Sequence, residues 1–249
     1  MHQQQRLQRI MEILEENGFV TVQYLTQQLH YSTATINRDL NLLQSQHRVQ
    51  RSFGGAALAE EKTVPLHFRY SKMRPVKNKI GRKAAQFIQD GDTIFIDCST
   101  TAQYIGRYIT DRKDLTVITN NLSLAAYLSE YGIQSICLGG RIMEPPSMVY
   151  SQETVENVRR YGADKLFFSA GAVTPEGRIG QGQFDAHTLM IRAMMENARQ
   201  RYLLVDHEKL QPRCQRYLGS LAEVDMVIAD FAFPQETVEN CPDTQFIQV

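Results

Sequence analysis

The sequence predicts an α/β protein in two parts, a small helical part that ends in a β-hairpin and a larger part built around a parallel sheet. Apolar residues recur at helical spacing in the first 45 residues, and from residue 92 short apolar runs alternate with helix-like stretches. Charge is also unevenly distributed. Residues 1–83 hold 13 Lys and Arg against 6 Asp and Glu, whereas residues 84–249 hold 14 against 21. This asymmetry favours contact of the first part with a polyanion, and a chance split with solvated charged faces would give the same counts.

Length and composition are those of a globular protein. The chain has 249 residues, of which 43% are hydrophobic and 22% charged, enough to bury a core and too apolar for disorder. No stretch approaches the roughly 18 apolar residues of a membrane span, and the first ten residues lack an apolar signal segment. We therefore expect a cytoplasmic protein without a membrane partner, metal or cofactor. The four cysteines are far apart and form no CxxC motif; they are Cys98, Cys137, Cys214 and Cys241.

Three short helices are predicted at the start of the chain. Apolar residues at i, i+3, i+4 and i+7 indicate the first helix, which Asn17-Gly18 would end. Thr21 and Ser32 can cap the second and third helices, because a hydroxyl oxygen accepts from a backbone N–H of the first turn. The predicted apolar faces are Leu7, Ile10, Met11 and Leu14; Val22, Leu25 and Leu29; and Ile36, Leu40 and Leu43.

A β-hairpin is predicted after the third helix. Extended pieces at 49–52 and 56–58 flank Gly54-Gly55. Three helices and a hairpin are typical of a winged helix-turn-helix, whose third helix enters the major groove of DNA. We therefore predict a DNA-binding domain over residues 1–58, a linker with two prolines over 59–76, and an effector-sensing and oligomerisation domain over 77–249.

The outer face of the third helix carries residue types that contact DNA. Arg38 and Asn41 lie opposite the apolar face, flanked by Thr35 and Asn37. Arg can bind guanine and Asn can bind adenine with paired hydrogen bonds, and two arginines near the hairpin are suited to phosphate. A helical subdomain with solvated polar faces would show the same pattern. The candidate DNA-binding residues are Ser32, Thr33, Thr35, Asn37, Arg38, Asn41, Arg48 and Arg51.

Buried strands alternating with helices predict a parallel sheet covered on both faces. The predicted strands are 93–96, 115–118, 135–138, 166–168, 202–205 and 226–228. The predicted helices are 76–88, 101–109, 122–131, 153–161 and 184–199.

Polar loops follow several of these strands, and ligands of such sheets bind at the carboxyl ends of the strands. The loop 97–101 opens a helix, where N–H groups and hydroxyls suit a phosphate. Each loop could equally consist of ordinary caps and turns. The candidate effector-binding residues are Asp97, Ser99, Thr100, Thr101, Asn120, Gly139, Gly140 and Lys209.

Several spaced motifs resemble the DeoR family of bacterial transcriptional regulators. Residues 33–40 read Thr-Ala-Thr-Ile-Asn-Arg-Asp-Leu, close to the family's Thr-Ile-Arg-Arg-Asp-Leu, and Arg51 and Gly54-Gly55-Ala56 follow. The likeness continues through most of the chain. It includes Phe95-Ile96-Asp97, Thr100-Thr101, Thr119-Asn120-Asn121, Leu138-Gly139-Gly140 and Asp206-His207-Glu208-Lys209.

The resemblance implies a repressor of carbohydrate-catabolism genes that leaves its double-stranded operator when a small phosphorylated sugar binds. It also implies a C-terminal domain like the ribose-5-phosphate isomerase fold. Because symmetric oligomers are the norm, we expect a homodimer or homotetramer. Some positions depart from the family pattern. Asn37 replaces an Arg, Ser99 replaces a glycine, and His187 and Ile191 stand where a Glu-x-x-x-Lys pair is usual.

Two alternatives remain open at this point. An isomerase-like enzyme acting on sugar phosphates would need a positioned base, for which Asp97, Asp185 and Asp206 are candidates. Turnover of a phosphosugar would identify it. An activator, or an architectural DNA binder without a ligand, is the other alternative. An architectural binder would show neither a preferred sequence nor a ligand response.

Overall fold

The computed structural model describes residues 3–17, 19–46, 48–52, 55–58, 73–143, 148–181, 185–214 and 216–249. Contacts between Cα atoms divide the chain into two compact units, residues 1–71 and residues 72–249, here called the N-terminal and C-terminal units. Among the helices in the described ranges, none combines the length and the apolar character of a membrane span.

The N-terminal unit contains the three predicted helices, α1 (Gln3–Asn17), α2 (Val22–Leu29) and α3 (Thr33–Ser45). Both predicted caps are confirmed. The Thr21 hydroxyl oxygen accepts from the backbone N–H of Tyr24 at 3.1 Å, and that of Ser32 accepts from Thr35 at 3.2 Å. The apolar faces meet in one core, whose fully buried members are Ile10, Leu14, Leu25, Ile36, Leu40, Leu43 and Ala56.

A three-stranded antiparallel sheet completes this unit. Its strands are β1 (Phe19–Thr21), β2 (Val49–Ser52) and β3 (Gly55–Leu58), in the order β1-β3-β2. The predicted hairpin is confirmed as the β2–β3 pair, although its turn at 53–54 lies outside the described residues. Strand β1 was not predicted, because a strand of three residues that ends on the helix cap Thr21 is too short to show an alternating pattern.

The C-terminal unit alternates strands with helices. Its strands are β4 (Thr93–Ile96), β5 (Thr116–Thr119), β6 (Gln134–Cys137), β7 (Ile142–Met143), β8 (Met148–Val149), β9 (Ala163–Ser169), β10 (Ala172–Val173), β11 (Arg178–Gly180), β12 (Ala198–Val205), β13 (Tyr217–Ser220), β14 (Met226–Ala229) and β15 (Gln245–Gln248). Its helices are α4 (Arg74–Ala85), α5 (Leu122–Glu130), α6 (Gln152–Val158), α7 (Asp185–Glu196) and α8 (Gln235–Glu239). Short 3-10 helices span Ala102–Tyr108, His207–Lys209 and Leu221–Glu223.

Within the described residues, seven of these strands form one parallel sheet in the order β15-β14-β12-β9-β4-β5-β6, which confirms the predicted fold class. Alternate side chains of each strand enter different cores. On β12, Leu203 and Val205 belong to one hydrophobic cluster, whereas Tyr202 and Leu204 belong to the other. Helices therefore cover both faces of the sheet.

Several predicted boundaries are wrong, for local reasons. Helix α4 begins at Arg74, inside the predicted linker, because Pro75 suits the first turn of a helix. Strand β12 begins at Ala198, not at 202, because the polar run Arg199-Gln200-Arg201 hides its first half. The predicted helix 101–109 is a 3-10 helix. The short antiparallel pairings β10-β11-β13 and β7-β8 have too few residues to show a pattern.

Candidate functional site

Helix α3 presents the polar face that the sequence predicted. Ser32, Thr33, Arg38 and Asn41 are exposed, and Thr35 is half-buried. The opposite face of α3 lies in the core, so the helix is fixed from beneath while its polar side chains remain accessible. This surface can meet a large partner such as the edge of a nucleic-acid groove.

Arg51 joins strand β2 to this face. Its Nη1 donates to Asn41 Oδ1 at 2.6 Å, and its Nη2 donates to Asn37 Oδ1 at 2.6 Å. The sequence placed Arg51 against phosphate, whereas here its guanidinium binds two side chains of α3. Arg48, at the entry to β2, is half-buried and donates its backbone N–H to Leu43 O at 2.9 Å.

A buried ion pair anchors α3 from below. Asp39 is fully buried and accepts from Arg6 of α1 through both carboxylate oxygens, one of them from Nη2 at 3.1 Å. The same guanidinium lies 4.6 Å from the centre of the Tyr31 ring. The hydrogen bond to Asp39 raises the pKa of Arg6 above its ordinary value. Sequence analysis did not single out Asp39, although its spacing from Ile36 places it on the apolar face.

In the C-terminal unit, the loop after β4 is organised by Asp97, which is fully buried. One carboxylate oxygen accepts from the Ser99 backbone N–H at 3.1 Å and from its hydroxyl at 2.5 Å. The other accepts from the backbone N–H of Ser169, at the end of β9, at 3.3 Å. Ser169 in turn donates from Oγ to Leu204 O of β12 at 2.6 Å. Asp97 and Ser169 together therefore connect the carboxyl ends of the neighbouring strands β4, β9 and β12.

Lys77 is a buried cation at this loop that sequence analysis missed. It lies on α4, is only 4% exposed, and its Nζ donates to Thr100 Oγ1 at 3.0 Å. Thr101, also buried, accepts at its carbonyl from Tyr104 N–H at 3.2 Å. The sequence signal for Lys77 was weak, because α4 carries several other Lys and Arg residues.

Asn120, after β5, is fully buried with one group unpaired. Its Nδ2 donates to Val149 O at 3.1 Å, whereas its Oδ1 has no partner among the described residues. An unpaired buried acceptor is costly unless a ligand or water donates to it. The neighbouring Asn121 has a structural role, since its side chain caps α5 by accepting from Leu124 N–H at 3.1 Å.

Gly139 and Gly140 close the loop after β6 against α6. Gly140 has φ +146°, and a Cβ there would come within 2.2 Å of Thr154 Oγ1. That hydroxyl donates to Gly139 O at 2.8 Å. Glycine at 140 is therefore required by the contact with α6, whatever this loop binds.

The loop after β12 holds a second unpaired acceptor. Asp206 is 1% exposed and its Oδ1 has no partner among the described residues. Burial raises the pKa of Asp206, and the positive charges of Lys209 and Lys77 oppose that rise. The next residue, His207, contacts Asp230 through Nδ1 at 2.5 Å, and this hydrogen bond raises the pKa of His207.

The two residues of α7 that depart from the family pattern, His187 and Ile191, have different surroundings. His187 is half-buried, and its Nε2 lies 3.3 Å from the Sγ of Cys98, beside the Asp97 loop. Ile191 is fully buried in the hydrophobic core. The side chain at position 191 therefore contributes to packing and offers no charge to a ligand. Asp185 begins α7, but its side chain lies outside what the structure describes.

Two family models match the chain. A DeoR-like helix-turn-helix domain matches residues 6–62, and a DeoR C terminal sensor domain matches residues 73–231. Together the matches cover both units.

Relatives align along nearly the whole chain. The HTH-type transcriptional repressor GlcR of Bacillus subtilis is 32% identical, covering 92% of this chain and 89% of its own length. The Glycerol-3-phosphate regulon repressor of Escherichia coli is 30% identical, covering 98% and 97%. The HTH-type transcriptional regulator UlaR of Shigella sonnei is 29% identical, covering 92% and 91%.

Solved structures align with the chain at low sequence identity. Ribose 5-phosphate isomerase A of Methanocaldococcus jannaschii is 20% identical with a TM-score of 0.43, covering 57% of this chain and 56% of that one. The translation initiation factor eIF-2B of Pyrococcus horikoshii is 17% identical with a TM-score of 0.48, covering 90% and 86%.

Proposed function

The chain belongs to the DeoR family of DNA-binding transcriptional regulators, and on this premise we propose that α3 reads the bases of an operator while a phosphorylated sugar controls its binding. The chain is a regulator and not an isomerase-like enzyme, since the family models and relatives describe regulators. We propose repression of carbohydrate genes in the cytoplasm, where the operator DNA is.

The exposed polar face of α3 is the observation that carries this proposal. Arg38 and Asn41 project from a helix whose other face is buried, as base reading in a major groove needs. The other proposed contacts lie on the same helix or on the β2 side of it; they are Ser32, Thr33, Thr35, Asn37, Arg48 and Arg51. Of these, the hydroxyl groups and Arg48 lie at the edges of the helix, where such groups bind phosphate and fix the register on the duplex.

Symmetry sets the spacing of the operator. We propose a homodimer or homotetramer assembled through the C-terminal unit, because closed symmetric oligomers are the norm among soluble proteins. Two copies of α3 then meet successive turns of the duplex. The half-sites should lie about 10–11 base pairs apart, or a multiple of that distance.

The C-terminal unit supplies the proposed effector site. Asn120 Oδ1 and Asp206 Oδ1 are buried acceptors that find no partner among the described residues, which suits the hydroxyl groups of a sugar. Lys77 and Lys209 can bind an anion such as phosphate. Asp97, Ser99, Thr100 and Thr101 form the loop beside Lys77, and Gly139 and Gly140 shape the next loop. A phosphorylated sugar or a related polyol phosphate combines both chemistries.

Control of DNA binding requires a ligand that distinguishes two states of the protein. Residues 59–76 and the helix after them are the proposed coupling element, and 59–72 lie outside the described residues. Helix α4 begins at Arg74 and carries Lys77, so a ligand held by Lys77 acts on the first helix of the unit.

Footprinting of the promoter beside the gene tests the proposal. We expect the full chain to protect a two-fold symmetric site, and one phosphorylated sugar of a panel to remove the protection while its unphosphorylated parent does not. Absence of any sequence-selective protection would refute the operator-reading role. Protection that no phosphosugar changes would refute the effector assignment alone.

A further inference from the structure

The geometry points to Arg51 as a positioning residue that holds Asn37 and Asn41 as one base-reading unit, with their amide N–H groups available to acceptors on guanine. This inference rests on the proposed reading of DNA by α3. It differs from the role that the sequence predicted for Arg51, which was a contact with phosphate. The difference matters because phosphate contacts set affinity, whereas base contacts set sequence preference.

One guanidinium reaches two asparagines. Arg51 Nη1 lies 2.6 Å from Asn41 Oδ1, and Nη2 lies 2.6 Å from Asn37 Oδ1. The asparagines are four residues apart, so they are neighbours on one face of the helix. The rigid fork of an arginine can bridge two oxygens, which the point charge of a lysine does not reproduce. Charge-assisted bonds of this kind fix both the asparagine rotamers and the orientation of both amides.

The orientation of the amides decides what they read. An asparagine that recognises adenine uses its oxygen as an acceptor and its nitrogen as a donor. In Asn37 and Asn41 the oxygens already accept from Arg51, which leaves the Nδ2 groups as donors. Guanine offers two acceptors, O6 and N7, on its major-groove edge, and no donor there. Adenine presents its N7 acceptor beside an amino donor, and thymine presents O4 beside a methyl group, so only guanine offers two adjacent acceptors to an amide NH₂. The unit therefore favours guanine at the positions that it meets.

A charge-conserving variant separates positioning from phosphate binding. The probe is a duplex selected from a random pool by the wild-type chain, with a panel in which single base pairs are changed, measured between about 50 and 200 mM salt. In Arg51→Lys the charge stays and the fork is lost. We expect discrimination at one or two guanine positions to fall about tenfold, while the salt dependence and the affinity for unrelated duplexes stay unchanged.

An isosteric exchange tests the orientation itself. Asn37→Asp and Asn41→Asp keep an oxygen for Arg51 but replace the donating nitrogen with a second acceptor. The base preferred at the affected position should change from guanine to cytosine or adenine, which present an amino donor in the major groove. Thermal unfolding of each variant verifies that the fold is retained, and the added negative charge should lower the affinity for all duplexes uniformly, apart from the change in base preference.

Two outcomes overturn the inference. Arg51→Lys with unchanged discrimination would show that only the charge of Arg51 matters. Aspartate variants whose base preference is unchanged, with a uniform loss of affinity, would show that the amides do not read bases. A wild-type chain that selects no sequence from the pool would contradict the proposed function instead, so the two failures are distinguishable.

Discussion

The two units place their polar groups in opposite ways. On α3 the polar side chains are exposed, and the charged residue beneath them, Asp39, is buried and fully paired with Arg6. In the C-terminal unit several polar side chains of the strand-end loops are themselves buried, and within the described part of the chain Asn120 and Asp206 each keep an unpaired oxygen. A buried group whose partners are complete stabilises the fold. Unpaired buried oxygens that lie in loops at the carboxyl ends of the strands, as those of Asn120 and Asp206 do, are candidate ligand contacts.

This contrast corresponds to the size of the two ligands. A duplex is too large to enclose, and the surface proposed to read it is the exposed face of a helix packed on a core. A small phosphosugar can be surrounded, and the site proposed for it consists of loops at the carboxyl ends of strands. Removal of a group should therefore have different consequences in the two units: loss of stability beneath α3, and loss of ligand response in the C-terminal unit.

The largest effect is expected from Asp39→Ala. It leaves the Arg6 guanidinium buried without its partner, which costs about 3–5 kcal/mol of stability. Hydrogen exchange of the α3 amides in the full chain measures this loss, and DNA binding should weaken with it. The double variant Arg6→Met/Asp39→Leu is the matched control, because apolar residues in both places remove the unpaired charge and should recover most of the stability. A loss below about 1 kcal/mol in Asp39→Ala would contradict the anchoring role.

The next effect is expected from Lys77→Met, which keeps most of the side-chain volume and removes the ammonium group. Affinity for the phosphosugar should fall about 10- to 100-fold, because a hydrogen bond to a charged group is lost. Operator affinity without the sugar should stay unchanged. Lys79→Met, on an exposed position of the same helix, is the control. A normal response to the sugar in Lys77→Met would remove Lys77 from the site.

The smallest effect is expected on the pH dependence of stability and involves His207 and Asp230. The hydrogen bond to Asp230 raises the pKa of His207 in the folded protein. The pair therefore stabilises the loop fully at pH values below the ordinary histidine pKa of about 6.5. That contribution to stability is lost as the pH rises through the raised pKa of His207. Asp230→Asn should lower the pKa of His207 toward its ordinary value, as a pH titration of the ring protons by NMR would measure. An unchanged titration curve would show that Asp230 does not control this histidine.

Local chemistry explains what the sequence could predict. The caps at Thr21 and Ser32, the apolar faces and the alternation of strands with helices depend on neighbouring residues, and each is found. The missed features depend on contacts distant in the chain. Lys77 and Thr100 are 23 residues apart, and Arg51 and Asn37 are 14 residues apart. Only folding shows that Asp39 pairs with Arg6, although its place on the apolar face of α3 was a readable signal.

The central claim is that the exposed face of α3 reads base edges. Methylation interference at guanine N7, compared between the wild-type chain and Arg38→Ala, tests it most directly, because N7 lies in the major groove. We predict at least one guanine in each half-site whose methylation blocks the wild-type chain. Arg38→Ala should bind about 1–3 kcal/mol more weakly and become insensitive to that guanine. The claim would be contradicted if no methylated guanine reduced binding of the wild-type chain. It would also be contradicted if both proteins gave the same interference pattern.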